Sequence, residues 1–205
     1  MNALLLKDMY MLKKYCRSVL LMIIIFWGMA VIDGGSNPFW VMLPVITGSV
    51  TPATLLSYDE KFHWNLYCDT MPVSRECVVA EKYVLTAAVV LLLTLGSTAV
   101  RLLAAVRGGE MQDVLAIAAA LTFLVGLLPP AIMIPAIYKY GMEKGRIVYY
   151  FCIGAACAIS FGLPSNAFAD TINVGSLYLL LTVIVVALFG VSWAISTAIY
   201  KKKSI

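Results

Sequence analysis

The sequence predicts an all-α integral membrane protein in which six transmembrane helices form a single domain over residues 1–205. Composition is the first reason, because 62% of the residues are hydrophobic and 13% are charged, which leaves a soluble domain too little polar surface. The second reason is six apolar stretches close to the roughly 20 residues that a helix needs to cross a bilayer core of about 30 Å. They are residues 17–32, 38–56, 82–103, 114–138, 147–168 and 174–200.

The basic residues indicate the orientation of these spans. Thirteen of the 15 Lys and Arg residues fall in segments that the spans place on one side of the membrane, and only Arg101 and Arg107 fall on the other. Because Lys and Arg are enriched in cytoplasmic loops, both termini are predicted to be cytoplasmic. The formal net charge of +4 therefore reflects topology and contact with anionic lipid headgroups, and we expect no nucleic-acid partner.

An amphipathic segment, residues 4–16, precedes the first span. Apolar side chains share one helical face and basic ones lie roughly opposite: Leu5, Met9, Leu12 and Cys16 against Lys7, Lys14 and Arg17. This pattern predicts a helix in the cytoplasmic interface with its apolar side towards lipid, and the alternative is a solvated extension of the first span. The first span lacks a clear small-x-small cleavage site after it, so we expect it to be retained rather than removed as a signal.

The loop between the second and third spans, residues 57–81, is the most informative polar segment. Residues 57–60 fit a capping box that would begin a new helix, and Pro72 would end it. Ser74 is then predicted to cap the helix of the third span. The pattern predicts a short helix held crosswise at the membrane surface. Aromatic and sulfur-bearing side chains form a stripe along one face of this helix, namely Trp64, Tyr67, Cys68 and Met71. This stripe either packs against lipid or docks a cytoplasmic partner.

The fourth span and the loop after it are the next distinctive segment. Pro129, Pro130 and Pro135 remove backbone donors from this span, which predicts a bent or mobile cytoplasmic half. The following short loop is predicted to offer the same partner a second contact through Lys139, Tyr140, Glu143 and Lys144.

Several kinds of chemistry are missing from the sequence. It has no Gly-x-x-x-x-Gly-Lys-Ser/Thr loop, no His-Glu-x-x-His and no Gly-x-Ser-x-Gly, so neither nucleotide binding nor hydrolysis is expected in this chain. No carboxylate lies near the middle of a span, which disfavours ion-coupled transport. The five cysteines lie in spans or cytoplasmic segments, where thiols stay reduced. The spacing of His63, Cys68 and Cys77 suits zinc poorly, so no metal site is predicted.

Three sequence blocks resemble the compact six-span permeases of type-2 ABC exporters, whose ATPase is a separate polypeptide. The blocks are LLKDMYMLKK at residues 5–14, DEKFHWNLY at 59–67, and MPVSR at 71–75 leading to AEKY at 80–83. The resemblance covers essentially the whole chain. Among small members, the sequence is most similar to exporters of amphipathic cytolytic peptides of the phenol-soluble modulin type.

The resemblance implies a mechanism and partners. The opening segment would be a connecting helix, and the loop would contain a coupling helix that docks into a cytoplasmic ATPase. That ATPase would bind ATP and Mg²⁺, while this permease, in a bacterial plasma membrane, would pair with a second permease as a homodimer or pseudo-dimer. The residues that carry over as ATPase-coupling candidates are Glu60, Lys61, Trp64, Asn65, Tyr67, Met71, Pro72 and Arg75.

The spans contain few polar residues, so a cargo cavity at the permease interface is expected to be largely apolar. Such a cavity suits amphipathic peptides or lipid-like molecules better than sugars or ions. Arg101 either faces this cavity or extends to the headgroups. Two other functions stay open at this point, namely a membrane adaptor that recruits a cytoplasmic partner without transport, and a secondary transporter or channel. The candidate lining residues are Thr47, Thr51, Ser97, Thr98 and Arg101.

Overall fold

The computed structural model describes residues 2–15, 17–34, 38–68, 74–106, 115–145, 147, 150 and 174–202. Every element in these ranges is helical, as the sequence predicts. The predicted fifth span, residues 147–168, lies almost wholly outside them. The helices are α1 (Asn2–Tyr15), α2 (Arg17–Ile32), α3 (Pro38–Ser49), α4 (Thr51–Lys61), α5 (Trp64–Cys68), α6 (Arg75–Val106), α7 (Leu115–Tyr140) and α8 (Val174–Lys202).

Among the residues that the structure describes, four helical stretches are long and apolar enough to cross a membrane: Phe39–Lys61, Arg75–Leu103, Ala119–Tyr140 and Leu180–Lys202. Helices α1 and α2 together would make a fifth span, but they meet at an angle of 66°. This bend agrees with the prediction that α1 is a separate helix. The protein is therefore a multi-pass membrane protein whose described residues contain four or five candidate spans, and the count of six and the sidedness stay predictions.

The bundle is assembled around α3, which contacts α2, α6 and α7, while α8 packs along α6 and α7. Ile23, Val45 and Leu93 form one apolar cluster between α2, α3 and α6. Close approach depends on small residues, because a Cβ atom at Gly96 would lie 2.2 Å from Cη2 of Trp27. The outward faces of α2 and α8 expose many large apolar side chains, as surfaces that face lipid do.

Two predicted helix starts have different outcomes. Helix α6 begins at Arg75, directly after Ser74, as predicted. The predicted start at residue 57 is wrong, because α4 begins at Thr51 and Ser57 lies inside it, donating a 2.7 Å hydrogen bond to the carbonyl of Thr54. Pro52 explains the earlier start, since proline is favoured in the first turn of a helix and lacks the N–H that would continue α3.

One end of the bundle brings together the end of α4, the start of α6 and the ends of α7 and α8, with α1 packed against α4 and α6. We call it the basic end, because lysines of the predicted cytoplasmic segments collect there. The largest apolar cluster underlies this end and includes Leu4 of α1, Cys68 of α5, Val79 of α6 and Tyr200 of α8. The helices that carry the predicted coupling residues are therefore packed into the bundle.

Candidate coupling site at the basic end

Four charged side chains form a closed ring of ion pairs between three helices. Lys7 Nζ of α1 lies 2.8 Å from Asp59 Oδ1 of α4 and 3.2 Å from Asp8 Oδ1. Lys82 Nζ of α6 lies 2.6 Å from Asp59 Oδ2 and also pairs with Asp8 Oδ2. Each lysine thus contacts both aspartates, and the two positive charges balance the two negative ones. We call Lys7, Asp8, Asp59 and Lys82 the ion square.

Three of the four side chains in the ion square are almost completely shielded from solvent. Asp8, Asp59 and Lys82 are 0%, 3% and 2% exposed. A single buried ion costs several kcal/mol to desolvate, so each of these charges depends on its partners in the ring. Glu81, the residue before Lys82, is also buried, and its carboxyl group interacts with Asp8. The ring therefore fixes α1, α4 and α6 relative to one another.

The position of Lys7 corrects the predicted orientation of α1. The sequence pattern placed Lys7 on the polar face with Lys14 and Arg17, but its side chain is 20% exposed and turns into the protein. Leu4 and Asp8 lie on the same buried side, while Met9 of the predicted apolar face is exposed, as expected beside lipid. The local pattern could not show that α4 supplies a carboxylate to Lys7.

Trp64 connects the ion square to α5. The sole histidine, His63, has a φ angle of 51° and turns the chain between α4 and α5. The Trp64 ring then lies under Lys7, whose Nζ is 4.0 Å from the ring centroid, at a distance typical of a cation–π contact. The predicted coupling residue is therefore held by α1 as well as by its own helix.

The other residues of the predicted stripe point in different directions. The ring of Tyr67 is exposed and lies 5.5 Å from Trp64, centroid to centroid. Cys68 is buried in the apolar cluster, and this burial raises the pKa of its thiol above the usual value. Met71 and Pro72, and the side chain of Asn65, lie outside what the structure describes. Tyr67 is thus the described residue of the stripe whose aromatic ring is exposed.

The predicted second contact loop lies beside α4, but it is not an open loop, since Lys139 and Tyr140 are the last residues of α7 and residues 142–145 are again helical. Glu60 Oε2 accepts a 3.1 Å hydrogen bond from the backbone N–H of Met142. Gly141 permits this approach, because its φ angle of +82° turns the chain at the end of α7. The remaining coupling and second-contact candidates that the structure describes are exposed or, for Arg75, partly exposed: Glu60, Lys61, Arg75, Lys139, Tyr140, Glu143 and Lys144.

The predicted pathway residues lie in helices, where their hydroxyl groups bond backbone carbonyls. Thr47, Thr51 and Thr98 donate to carbonyls three or four residues earlier in the chain, at 2.5–3.0 Å. Ser97 lies 3.4 Å from the carbonyl of Val41 and so bridges α6 and α3. Arg101 is partly buried, and its Nε has no hydrogen-bond partner among the residues that the structure describes. That these residues line a cargo pathway stays a prediction.

A sequence profile of the ABC-2 family transporter proteins matches residues 3–201, which include the ion square and every predicted coupling residue. The chain belongs to the ABC-2 transporter family. It is therefore a membrane permease of an ABC transporter, a transport subunit rather than an enzyme. Searches of curated proteins and of solved structures found no match. In the described part of this ABC-2 permease, no group of three or more His, Cys, Asp or Glu residues could hold a metal ion.

Sequence reasoning did not select the residues of the ion square as site residues. All four lie in the three blocks that carried the family resemblance, but Lys7 and Lys82 were counted as markers of topology. A usable signal was present, since Asp8 lies in the middle of the amphipathic α1 and Asp59 near the end of α4, and a carboxylate that is withdrawn from water there has few favourable environments without a cation. Which lysine pairs with which aspartate in this ABC-2 permease is visible only in the three-dimensional structure.

Proposed function

We propose that this ABC-2 permease is the transmembrane subunit of an ATP-driven exporter, and that α4, α5, the end of α7 and the turn after it dock a separate cytoplasmic ATPase. The observation that supports the proposal is the Trp64–Lys7 contact, which joins an exposed segment at the basic end to the buried ion square. A force applied to α5 therefore acts on a part of the protein that is held by three helices.

The chemistry of the surface also supports a protein partner. Exposed lysines alone would suit anionic headgroups, but two carboxylates and two tyrosine rings are interspersed with them. Mixed charge with exposed aromatic rings is characteristic of protein interfaces, in which tyrosine is enriched. The exposed residues concerned are Glu60, Lys61, Tyr67, Lys139, Tyr140, Glu143 and Lys144.

The division of labour follows from the family. Membership of the ABC-2 permeases implies a partner ATPase and a second permease copy, and the ATPase would bind ATP and Mg²⁺. This chain would supply the membrane pathway and the surface that receives motion. Its apolar spans favour amphipathic peptides or other hydrophobic cargo, and the predicted direction of movement is out of the cell.

The test is co-expression with the ATPase encoded beside this chain, followed by co-purification and an assay of ATP-driven movement of an amphipathic helical peptide. We expect Tyr67→Ala to weaken ATPase association on the order of tenfold, because truncating a central aromatic residue of an interface commonly costs more than 1 kcal/mol. Trp193→Ala is the control, since Trp193 is an exposed aromatic residue of α8. Association that is unaffected by Tyr67→Ala would contradict the docking surface.

The same assay separates the two other functions. An adaptor would bind its partner but would not move peptide when ATP is added. A secondary transporter would move its substrate without any ATPase. Peptide movement that requires both ATP and the co-purified ATPase is the expected result.

A further inference from the structure

We propose that Lys82 is a positioning residue through which a displacement of α4 and α5 is transmitted to the membrane span α6. This inference rests on the proposed function, because it assumes that a partner displaces α4 and α5. The exposed coupling surface can bind a partner, whereas the buried Lys82 would carry the resulting displacement to α6.

The contacts form a continuous path from the surface to the span. Trp64 of α5 lies 4.0 Å from Lys7, and Lys7 lies 2.8 Å from Asp59. Asp59 lies 2.6 Å from Lys82. Ion pairs with hydrogen-bond geometry in a buried environment are strong and directional, whereas apolar side chains can slide past one another. A shift of α4 therefore moves Lys82 or breaks a buried ion pair.

The residue after Lys82 extends this path to the rest of the bundle. The hydroxyl group of Tyr83 lies 2.7 Å from the hydroxyls of both Ser192 and Ser196 in α8. Ser192 in turn donates a 2.6 Å hydrogen bond to the carbonyl of Ala131 in α7. Two consecutive residues of α6 thus join the ion square on one side to α7 and α8 on the other.

A second ion pair at the basic end offers a matched comparison. Lys201 of α8 pairs with Glu76 of α6, so it too connects α6 with another helix. Its side chains are 55% and 60% exposed, where water and salt weaken the interaction. Only Lys82 combines burial with contacts to both α1 and α4 among the lysines that the structure describes.

The experiment measures motion of α6 in the purified complex of permease and ATPase. Nitroxide labels are attached through p-acetylphenylalanine at positions 102 and 183, where Leu102 and Val183 are exposed residues of α6 and α8. This chemistry leaves the native cysteines in place. Pulsed electron spin resonance then gives the distance between the labels without nucleotide and with ATP plus vanadate.

The test variant is the double substitution Lys82→Met with Asp8→Asn. It removes one charge of each sign from the ion square, so that Lys7 and Asp59 stay paired. We expect this variant to co-purify with the ATPase but to lose the nucleotide-dependent change in distance. Lys82→Arg, which keeps the charge, and Lys201→Met, which breaks the exposed pair, should both retain the change.

Each outcome decides the inference. A full distance change in the double variant overturns it and shows that the ion square acts only in stability. A wild-type complex that forms but shows no distance change also overturns it, because α6 then does not move. Failure of the wild-type chain to associate with the ATPase contradicts the proposed function itself, which distinguishes the two failures.

Discussion

The hydroxyl group of Ser192 donates a 2.6 Å hydrogen bond to the carbonyl oxygen of Ala131. That carbonyl lies four residues before Pro135, which has no N–H to bond it within α7. Helix α8 therefore supplies the donor that the proline removes from its neighbour. Helix α7 continues through three prolines from Leu115 to Tyr140, in the region where the sequence predicted a bent or mobile segment.

Replacing Ser192 by alanine should destabilise the bundle. The carbonyl of Ala131 would lose its donor in a buried position, at a cost of about 1–3 kcal/mol. Thr197→Ala is the control, since its hydroxyl bonds the carbonyl of Trp193 in its own helix at an exposed position. Thermal unfolding in detergent measures both variants, and equal shifts in Tm would show that the α7–α8 hydrogen bond contributes nothing specific.

Replacing Lys82 alone by methionine should be more damaging than replacing it together with Asp8. The single change leaves two buried aspartates with one lysine, and removal of one partner from a buried ion pair costs about 3–5 kcal/mol. Adding Asp8→Asn should recover most of this loss, whereas Lys201→Met should have no measurable effect. The same thermal unfolding assay applies. A double variant that is no more stable than the single one would contradict the charge balance of the ring.

Gly141→Ala should destabilise the junction between α7 and α4. At a φ angle of +82° an alanine is strained by about 1–2 kcal/mol, although its Cβ would only reach normal contact with Glu60 Oε1 at 3.5 Å. Gly28→Ala is the control, because Gly28 lies inside α2 with nothing within 4 Å of an added Cβ. Alanine is favoured over glycine in a helix, so Tm should fall for the first variant and be maintained or rise for the second. The opposite order would contradict the left-handed turn.

The two cysteines that the structure describes should react at different rates with a maleimide. Burial raises the pKa of the Cys68 thiol by disfavouring the thiolate, which is the reactive form. Cys77 is partly exposed near the start of α6. We expect alkylation of Cys77 to be on the order of tenfold faster at neutral pH, and the Cys68 rate to rise with pH until the pH exceeds the raised pKa of its thiol. Peptide mapping by mass spectrometry separates the five sites, and equal rates would contradict the burial of α5.

The sequence by itself determined the class of the protein and most of its helices. Long apolar stretches must form helices in lipid, because no water is present to bond the backbone, so composition and length suffice to predict them. The start of α6 at Arg75 and the separation of α1 from α2 were also predicted, since a capping serine and an amphipathic pattern are local signals. The predicted start of α4 was wrong. The capping pattern at residues 57–60 lies inside a helix that begins earlier, at Thr51, with Pro52 in its first turn.

Only the tertiary structure decided which charges meet. Lys7 and Asp59 are 52 residues apart in the chain, and Asp8 and Lys82 are 74 apart. A lysine at the end of an apolar helix has the same local sequence whether it extends to the headgroups or turns inwards to a carboxylate. The choice depends on how the helices pack and on which carboxylates they bring within about 3 Å, and no local pattern contains that information.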